Sequence, residues 1–312
     1  MLRFRAWYFA AMVLAPFAVS ANNVHVVTTV HPVNLIVQEL VEGAGQSETL
    51  LPAGSSPHDY ALRPSDVEKL KAADLVVWVG PELESFLTKI LSSQENTLSL
   101  TAQETITFRD FEGHEGHEGH EGHEGHEGHE GHDSHGDHEG HEHHHDGIDP
   151  HLWLGPDQAI QAAKVISAAL IELDPLNRAQ YEANLSRFIV SVNETVQNLK
   201  EQLQPVRDKG YYVFHDAYGY FEDTFGLHNL GHFTVSPDRR PGAKTLIAIR
   251  NTLKKSQVKC IFREPQFSPA VINSVINGSD IKIGTLDPMA TDIASGQGGY
   301  VRFLQELGRS FT

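Results

Sequence analysis

Cysteine, basic residues and long apolar runs are all scarce in this chain of 312 residues. Cys260 is the only cysteine, so no disulfide can form within the chain, and its setting in "KCIFREP" is typical of a small buried strand residue. Lys and Arg number 24 against 41 Asp and Glu, which gives a formal net charge of -17. This acidic balance argues against nucleic acid or an anionic membrane as a partner.

No apolar run reaches the roughly 20 residues that a membrane-spanning helix needs. The run near the start, from Ala6 to Val19, follows Arg3 and Arg5 and leads into Val-Ser-Ala. This order is typical of a secretory signal peptide, and we expect cleavage after Ala21. The sequence therefore predicts a protein that is exported to a periplasm.

The acidity is concentrated in one tract that has no Lys, Arg, aliphatic or aromatic residue. From Glu112 to Asp146 it repeats Glu-Gly-His, passes through Asp-His variants and ends in His143, His144 and His145. With nothing apolar to bury and frequent Gly, this composition predicts a disordered insert.

Densely spaced imidazoles and carboxylates are suited to Zn, Cu and Ni, so the tract predicts many weak and exchangeable metal sites. A solvated acidic linker is the alternative interpretation. The candidate accessory ligands are His114, His117, His120, His123, His126, His129, His132, His135, His138, His141, His143, His144 and His145.

The rest of the chain alternates strand-like and helix-like segments, which predicts an α/β fold with parallel sheets. Apolar residues recur at steps of three and four from about Pro175 to Leu203, which predicts one long amphipathic helix. The alternation then restarts, so we expect two α/β lobes joined by a long spine helix, with a ligand cleft between them. The expected units are a signal peptide (1–21), an N-terminal lobe (22–174) carrying the disordered insert (112–147), the linking helix (175–204) and a C-terminal lobe (205–312).

Four potential metal ligands follow predicted strands or the insert: His58, His151, His215 and Asp287. Ligands of parallel α/β sheets bind beyond the carboxyl ends of the strands, so these side chains can meet between the lobes as a tetrahedral zinc site. Position alone is weak support. A single His at a strand end is usually a hydrogen-bonded surface residue, and Asp287 before Pro288 is also an ordinary turn starter.

Several motifs strengthen this interpretation: "SPHDYALRPSDVEKLKAADLVVWVGPELESFL", "DPHLWLGP", "FHDAYGYFEDTFGL", "PGAKTL", "EPQF" and "GTLDPM". In this order they resemble the periplasmic zinc-binding proteins of bacterial zinc-uptake ABC transporters, the ZnuA type, over essentially the whole mature chain. The resemblance implies two lobes bridged by a long helix, with zinc bound between them.

The resemblance also implies a ligand set. The three His ligands of the family match His58, His151 and His215, and the Asp position of the wider family matches Asp287. Manganese-binding cousins place a carboxylate where this chain has His215, which favours zinc. Some members have a Glu before the first His, where this chain has Pro57, so the fourth ligand is either Asp287 or water. Glu264 is expected to orient a ligand rather than bind metal.

The function that follows is capture of periplasmic Zn²⁺ and delivery to an inner-membrane ABC permease by a monomeric binding protein without enzymatic activity. Two alternatives stay open. Three His with an open position is also the pattern of a zinc hydrolase. A metal buffer or chaperone would act mainly through the His-rich tract.

Overall fold

The computed structural model describes residues 23–110, 147–234, 237, 241–255, 258 and 260–312. The predicted signal peptide lies outside the described residues, and so does the His-rich insert except for its last residue, Gly147. Within the described part of the chain, no helix combines the length and the apolar character needed to cross a bilayer.

The first lobe is a four-stranded parallel sheet in the order β2-β1-β3-β4. All four residues of the segment "LVVW" are buried, as expected for a parallel strand covered on both faces. The strands are β1 (Val24–Thr28), β2 (Gly45–Thr49), β3 (Leu75–Trp78) and β4 (Thr97–Ser99), and the helices are α1 (His31–Val41), α2 (Pro64–Ala72) and α3 (Thr88–Leu91).

One predicted helix of this lobe is shorter than its sequence suggests. The segment "PELESFLTKILSS" forms a 3-10 turn at Ser85–Leu87 and then the four-residue helix α3. The Glu84 side chain is fully buried and accepts hydrogen bonds from the Thr29 hydroxyl and from the Gly80 N–H. Because this carboxyl group points into the core, helical structure begins only after Glu84.

Two helices follow the insert, α4 (Pro156–Leu173) and α5 (Arg178–Leu203). Short 3-10 turns at Pro175–Asn177 and Gln204–Val206 flank α5, so the prediction of one long helix is confirmed. The buried face of α5 follows the predicted apolar period and includes Phe188, Val192 and Leu199.

The second lobe repeats the arrangement, with a parallel sheet in the order β6-β5-β7-β8. Its strands are β5 (Tyr211–His215), β6 (Asn229–Thr234), β7 (Cys260–Arg263) and β8 (Lys282–Thr285), and its helices are α6 (Gly219–Phe225), α7 (Ala243–Lys255), α8 (Ala270–Ile276) and the closing helix α9 (Gly299–Ser310). Cys260 is a free thiol at the start of β7 and is partly buried.

The long helix α5 packs against α1 and α4 of the first lobe and against α6 and α9 of the second. One apolar cluster therefore continues through both lobes and contains Val26, Trp153, Phe188, Val213 and Phe303. The predicted architecture of two parallel α/β lobes with a spine helix is confirmed. The boundaries proposed between the domains stay a prediction.

Candidate metal centre

The three predicted His ligands lie on different parts of the fold and meet between the lobes. His215 is the last residue of β5, and His58 lies in the loop between β2 and α2. His151 precedes the 3-10 turn Leu152–Leu154, which leads into α4. In the second sheet β6 is added on one side of β5 and β7 on the other, so the boundary between β5 and β7 is the topological switch point. His215 lies at the carboxyl end of β5 beside this point, where parallel sheets usually bind ligands.

The imidazoles converge through their Nε2 atoms. His151 Nε2 lies 3.3 Å from His58 Nε2 and 3.3 Å from His215 Nε2. The ligand atoms of all three residues lie within 4.8 Å of one another. His151 and His215 are each only 2% exposed, whereas His58 is partly exposed and lies at the open side of the group.

Asp149 orients His151. One of its oxygens, Oδ1, accepts hydrogen bonds from His151 Nδ1 at 2.8 Å and from the His151 backbone N–H at 3.0 Å. Burial lowers the pKa of His151 well below its ordinary value, and the neighbouring His215 lowers it further. Burial also raises the pKa of Asp149 to about 7, against the hydrogen bond from His151 and the charge of Arg109. The imidazole of His151 is therefore held neutral.

Glu264 orients His215 in the same way, with 2.7 Å between Glu264 Oε1 and His215 Nδ1. Glu264 follows β7 directly and is 2% exposed. The expectation that Glu264 positions a ligand agrees with this contact. A carboxylate accepts the proton of Nδ1, so it leaves the lone pair of Nε2 free in both His151 and His215.

The Nε2 atoms of His151 and His215 face each other at 3.3 Å, and two such nitrogens approach favourably only when a proton or a cation lies between them. Three such nitrogens on one centre form the donor set of a tetrahedral Zn²⁺ site with one further position. The arrangement can therefore hold a borderline divalent metal ion.

The walls around the imidazoles are mostly apolar and come from both lobes. They include Pro57, Trp153, Phe267, Pro288 and Met289. Trp153 is fully buried, and its indole N–H donates to the Pro288 carbonyl at 2.7 Å. These walls lower the local dielectric constant and strengthen charge interactions inside the pocket.

The structure does not bring Asp287 into this group. Its Oδ1 accepts from the Gln266 amide at 2.6 Å and from the Met289 N–H at 3.0 Å, and its Oδ2 accepts from the Thr291 N–H at 2.6 Å. The carboxylate thus stabilises the turn after β8, which is the alternative role that the sequence offered for Asp287 before Pro288. Asp287 as the fourth ligand is a sequence prediction that this arrangement does not favour.

The remaining His residues of the described part lie apart from the three imidazoles. His31 Nε2 lies 2.9 Å from the Ile293 carbonyl, and His25 Nε2 lies 3.2 Å from a Glu48 oxygen. His228 and His232 line a separate polar surface pocket beside α6. The His residues of the insert, His114 to His145, lie outside the described residues.

Asp149 and Arg109 are part of this site, but neither was predicted from the sequence. Asp149 is two residues before His151 in "IDPH", and a carboxylate so close to a candidate ligand is a usable signal. Arg109 precedes the insert, and its closeness to Asp149 depends on how the two ends of the insert meet. No local pattern encodes that contact.

The chain matches the family model described as "ZnuA: Zinc-uptake complex component A periplasmic" over residues 26–312. It is 43% identical over 307 residues to the "High-affinity zinc uptake system protein ZnuA" of Yersinia pestis, covering 97% of this chain and 94% of the relative. A protein of the same name from Haemophilus ducreyi is 41% identical over 293 residues, covering 93% of each.

Solved structures share the fold. One described as "Crystal structure of ZnuA" has a TM-score of 0.72 at 23% identity and covers 93% of this chain and 100% of the other. The periplasmic zinc binding protein TroA from Treponema pallidum has a TM-score of 0.73 at 19% identity, with 93% and 98% covered.

Proposed function

This chain belongs to the ZnuA family of periplasmic zinc-uptake components, and we propose that it captures Zn²⁺ between its lobes and delivers it to the permease of an ABC transporter. A member of this family is a binding protein of an uptake system and not an enzyme. The hydrolase alternative is therefore not favoured.

The observation that carries the proposal is the convergence of the Nε2 atoms of His58, His151 and His215. Three nitrogen donors suit Zn²⁺, whereas Mn²⁺ accepts more oxygen ligands. The buried carboxylates of Asp149 and Glu264 fix two of the three rings with their Nε2 atoms toward the centre. Because the rings are already aligned in the protein, little ordering is needed when zinc binds.

A cargo ion has to leave as well as bind. Three protein ligands leave the fourth tetrahedral position of Zn²⁺ for an exchangeable ligand. A ligand group of the permease can bind the ion at this position first, and the His ligands can then be replaced. We propose that water takes this position, with Asp287 as the alternative. His58 is the partly exposed ligand, so we expect it to be released first.

The insert and the oligomeric state belong to the same proposal. We propose that the His-rich tract collects Zn²⁺ in weak sites and raises its concentration near the cleft. We also propose that the protein acts as a monomer after its signal peptide is removed, because one chain supplies all three imidazoles and both of their carboxylate partners.

The test is growth of the source bacterium with the gene for this chain deleted, in medium depleted of zinc by a chelator. The wild-type gene should restore growth and uptake of labelled zinc, whereas a His58→Ala, His151→Ala, His215→Ala triple variant should not. His25→Ala is the matched control, because His25 contacts Glu48 away from the site. Equal growth of the triple variant and the wild type would overturn the proposal.

A further inference from the structure

Arg109 forms a bridge between the two lobes directly behind His151. Its Nη1 lies 3.5 Å from Asp149 Oδ2 in the first lobe, and its Nε lies 2.7 Å from Asp223 Oδ2 on α6 of the second. Its guanidinium carbon lies 5.8 Å from the centre of the Tyr220 ring. One cation therefore contacts a buried carboxylate, an exposed carboxylate and an aromatic face.

Hydrogen bonds also fix the backbone of Arg109. The Arg109 N–H donates to the Tyr220 hydroxyl at 3.0 Å, and that hydroxyl donates to the Asp149 carbonyl at 2.7 Å. The Asp149 N–H in turn donates to the Arg109 carbonyl at 2.7 Å. These bonds join the residues on both sides of the insert to helix α6.

The space for the guanidinium depends on a glycine. A Cβ atom added to Gly219 would lie 1.4 Å from Arg109 Nη1, so any other residue at this position would displace the side chain. Helix α6 thus provides both the room for Arg109, at Gly219, and its contacts with the second lobe, through Tyr220 and Asp223.

The contact chain reaches the metal centre through Asp149. Its Oδ1 accepts both hydrogen bonds from His151, and its Oδ2 faces Arg109. Asp149 is 1% exposed, and a buried carboxylate needs a cation or hydrogen-bond donors at both oxygens to stay in place. Arg109 meets this need from the side away from the imidazoles.

We propose that Arg109 is a positioning residue for zinc capture, which fixes Asp149 and hence His151 and so sets how slowly zinc leaves the cleft. This inference rests on the proposed function. It assigns Arg109 an effect on zinc release that reaches beyond the stability of the fold, because among the described residues Arg109 reaches the metal centre through its ion pair with Asp149.

The test is the rate of zinc release from full-length mature protein loaded with one equivalent, measured by stopped flow with excess chelator. Loss of an outer partner of a metal ligand typically costs about 10–100-fold in affinity, so Arg109→Met should speed release by a factor in that range. The release rate of Arg109→Lys should lie between those of Arg109→Met and the wild type. The Lys ammonium group keeps the positive charge but cannot reproduce the several fixed donors of the planar guanidinium. Asp223→Asn should change the rate less than threefold, since Asp223 is 67% exposed.

A double-mutant cycle separates positioning from a general loss of stability. If Arg109 acts through Asp149, the Arg109→Met, Asp149→Asn double variant should release zinc no faster than Asp149→Asn alone. The absorption spectrum of bound Co²⁺ should change in Arg109→Met. Arg187→Met is the matched control, because Arg187 forms a comparable ion pair with Glu42 far from the site.

Release from Arg109→Met within twofold of Arg187→Met, or additive effects of Arg109→Met and Asp149→Asn, would overturn the inference. Because Arg109→Lys keeps the charge, it tests the idea even if Arg109→Met folds poorly. Failure of the wild type to hold one slowly released zinc ion would instead overturn the proposed function, so the two failures are distinguishable.

Discussion

Glu264 and His215 are joined by a 2.7 Å contact between Oε1 and Nδ1, although 49 residues separate them in sequence. The contact forms because β5 and β7 are neighbouring parallel strands and both residues lie at their carboxyl ends. The same geometry places His215 Nε2 toward His151 and His58. A carboxylate at one sheet edge thereby decides which nitrogen of the imidazole can bind metal.

Replacement of Glu264 should weaken zinc binding without removing any ligand. We expect Glu264→Ala to lower the affinity by about 10–100-fold, because it leaves the His215 Nδ1–H unpaired in a buried site. Glu264→Gln should have a smaller effect, since an amide oxygen can still accept that hydrogen bond. The measurement is a competition titration with a zinc chelator. Glu48→Gln, which alters a partly exposed Glu–His pair outside the metal centre, is the control and should leave the affinity unchanged.

Substitution of Asp287 should affect stability more than metal binding. Asp287→Ala removes the acceptor for the Met289 and Thr291 N–H groups and for the Gln266 amide. We expect a loss of about 1–3 kcal/mol in the free energy of unfolding, measured with denaturant on zinc-free protein. The zinc affinity should fall less than in His151→Ala. An intact stability with loss of the tight site would show instead that Asp287 is a ligand.

Removal of the insert should leave the tight site in place. The residues that flank the insert already meet, since Asp110 pairs with Ile148 and the Asp149 N–H donates to the Arg109 carbonyl. A chain lacking residues 112–146 can therefore close with little strain. Zinc titration calorimetry should show one tight event as in the full chain, without the weaker events. Disappearance of the tight event would mean that the tract supplies the principal ligands.

The buried Glu84 should make stability depend on pH. Burial raises its pKa from 4.5 to about 7, so between these values the native chain keeps a proton that the unfolded chain has released. Stability contributed by this group is complete below pH 4.5 and is lost as the pH rises through about 7, by on the order of 3 kcal/mol at most. The stability of Glu84→Gln relative to wild type should therefore increase over this interval.

Thermal melts of zinc-free protein from pH 4.5 to 8 give the comparison for Glu84. The control is Glu95→Gln, because Glu95 is exposed and is not among the groups that shift the pKa of Glu84. Its curve should stay parallel to that of the wild type. If the Glu84→Gln curve is also parallel, Glu84 is ionised in the native state and the account of its burial is wrong.

The sequence predicted the sheets and indicated His215 as a candidate ligand for the same physical reason. Buried parallel strands are continuous apolar runs such as "YYVFH", and their carboxyl ends converge, so the position of His215 made it a candidate that the resemblance then strengthened. The apolar residues that recur at steps of three and four over the length of α5 predicted the spine helix. His58 and His151 needed the resemblance, because a loop residue has no periodic pattern that indicates its direction.

The sequence pattern does not show which hydrogen-bond donors a carboxylate accepts from in the folded chain. Asp287 follows β8 as expected, but the neighbouring N–H groups of Met289 and Thr291 take its oxygens. The helix expected after Pro81 is shortened because the Glu84 side chain turns inward to Gly80 and Thr29. In both cases a short-range hydrogen bond outweighs the pattern of the segment.

Zinc capture by the three imidazoles is best tested by titration calorimetry, which compares the mature full-length chain with the His58→Ala, His151→Ala, His215→Ala variant that keeps the insert. Our account predicts that the variant loses one tight binding event and retains the weaker multiple binding. If both proteins titrate alike, the three-histidine centre is not the transport site, and the His-rich tract carries the metal.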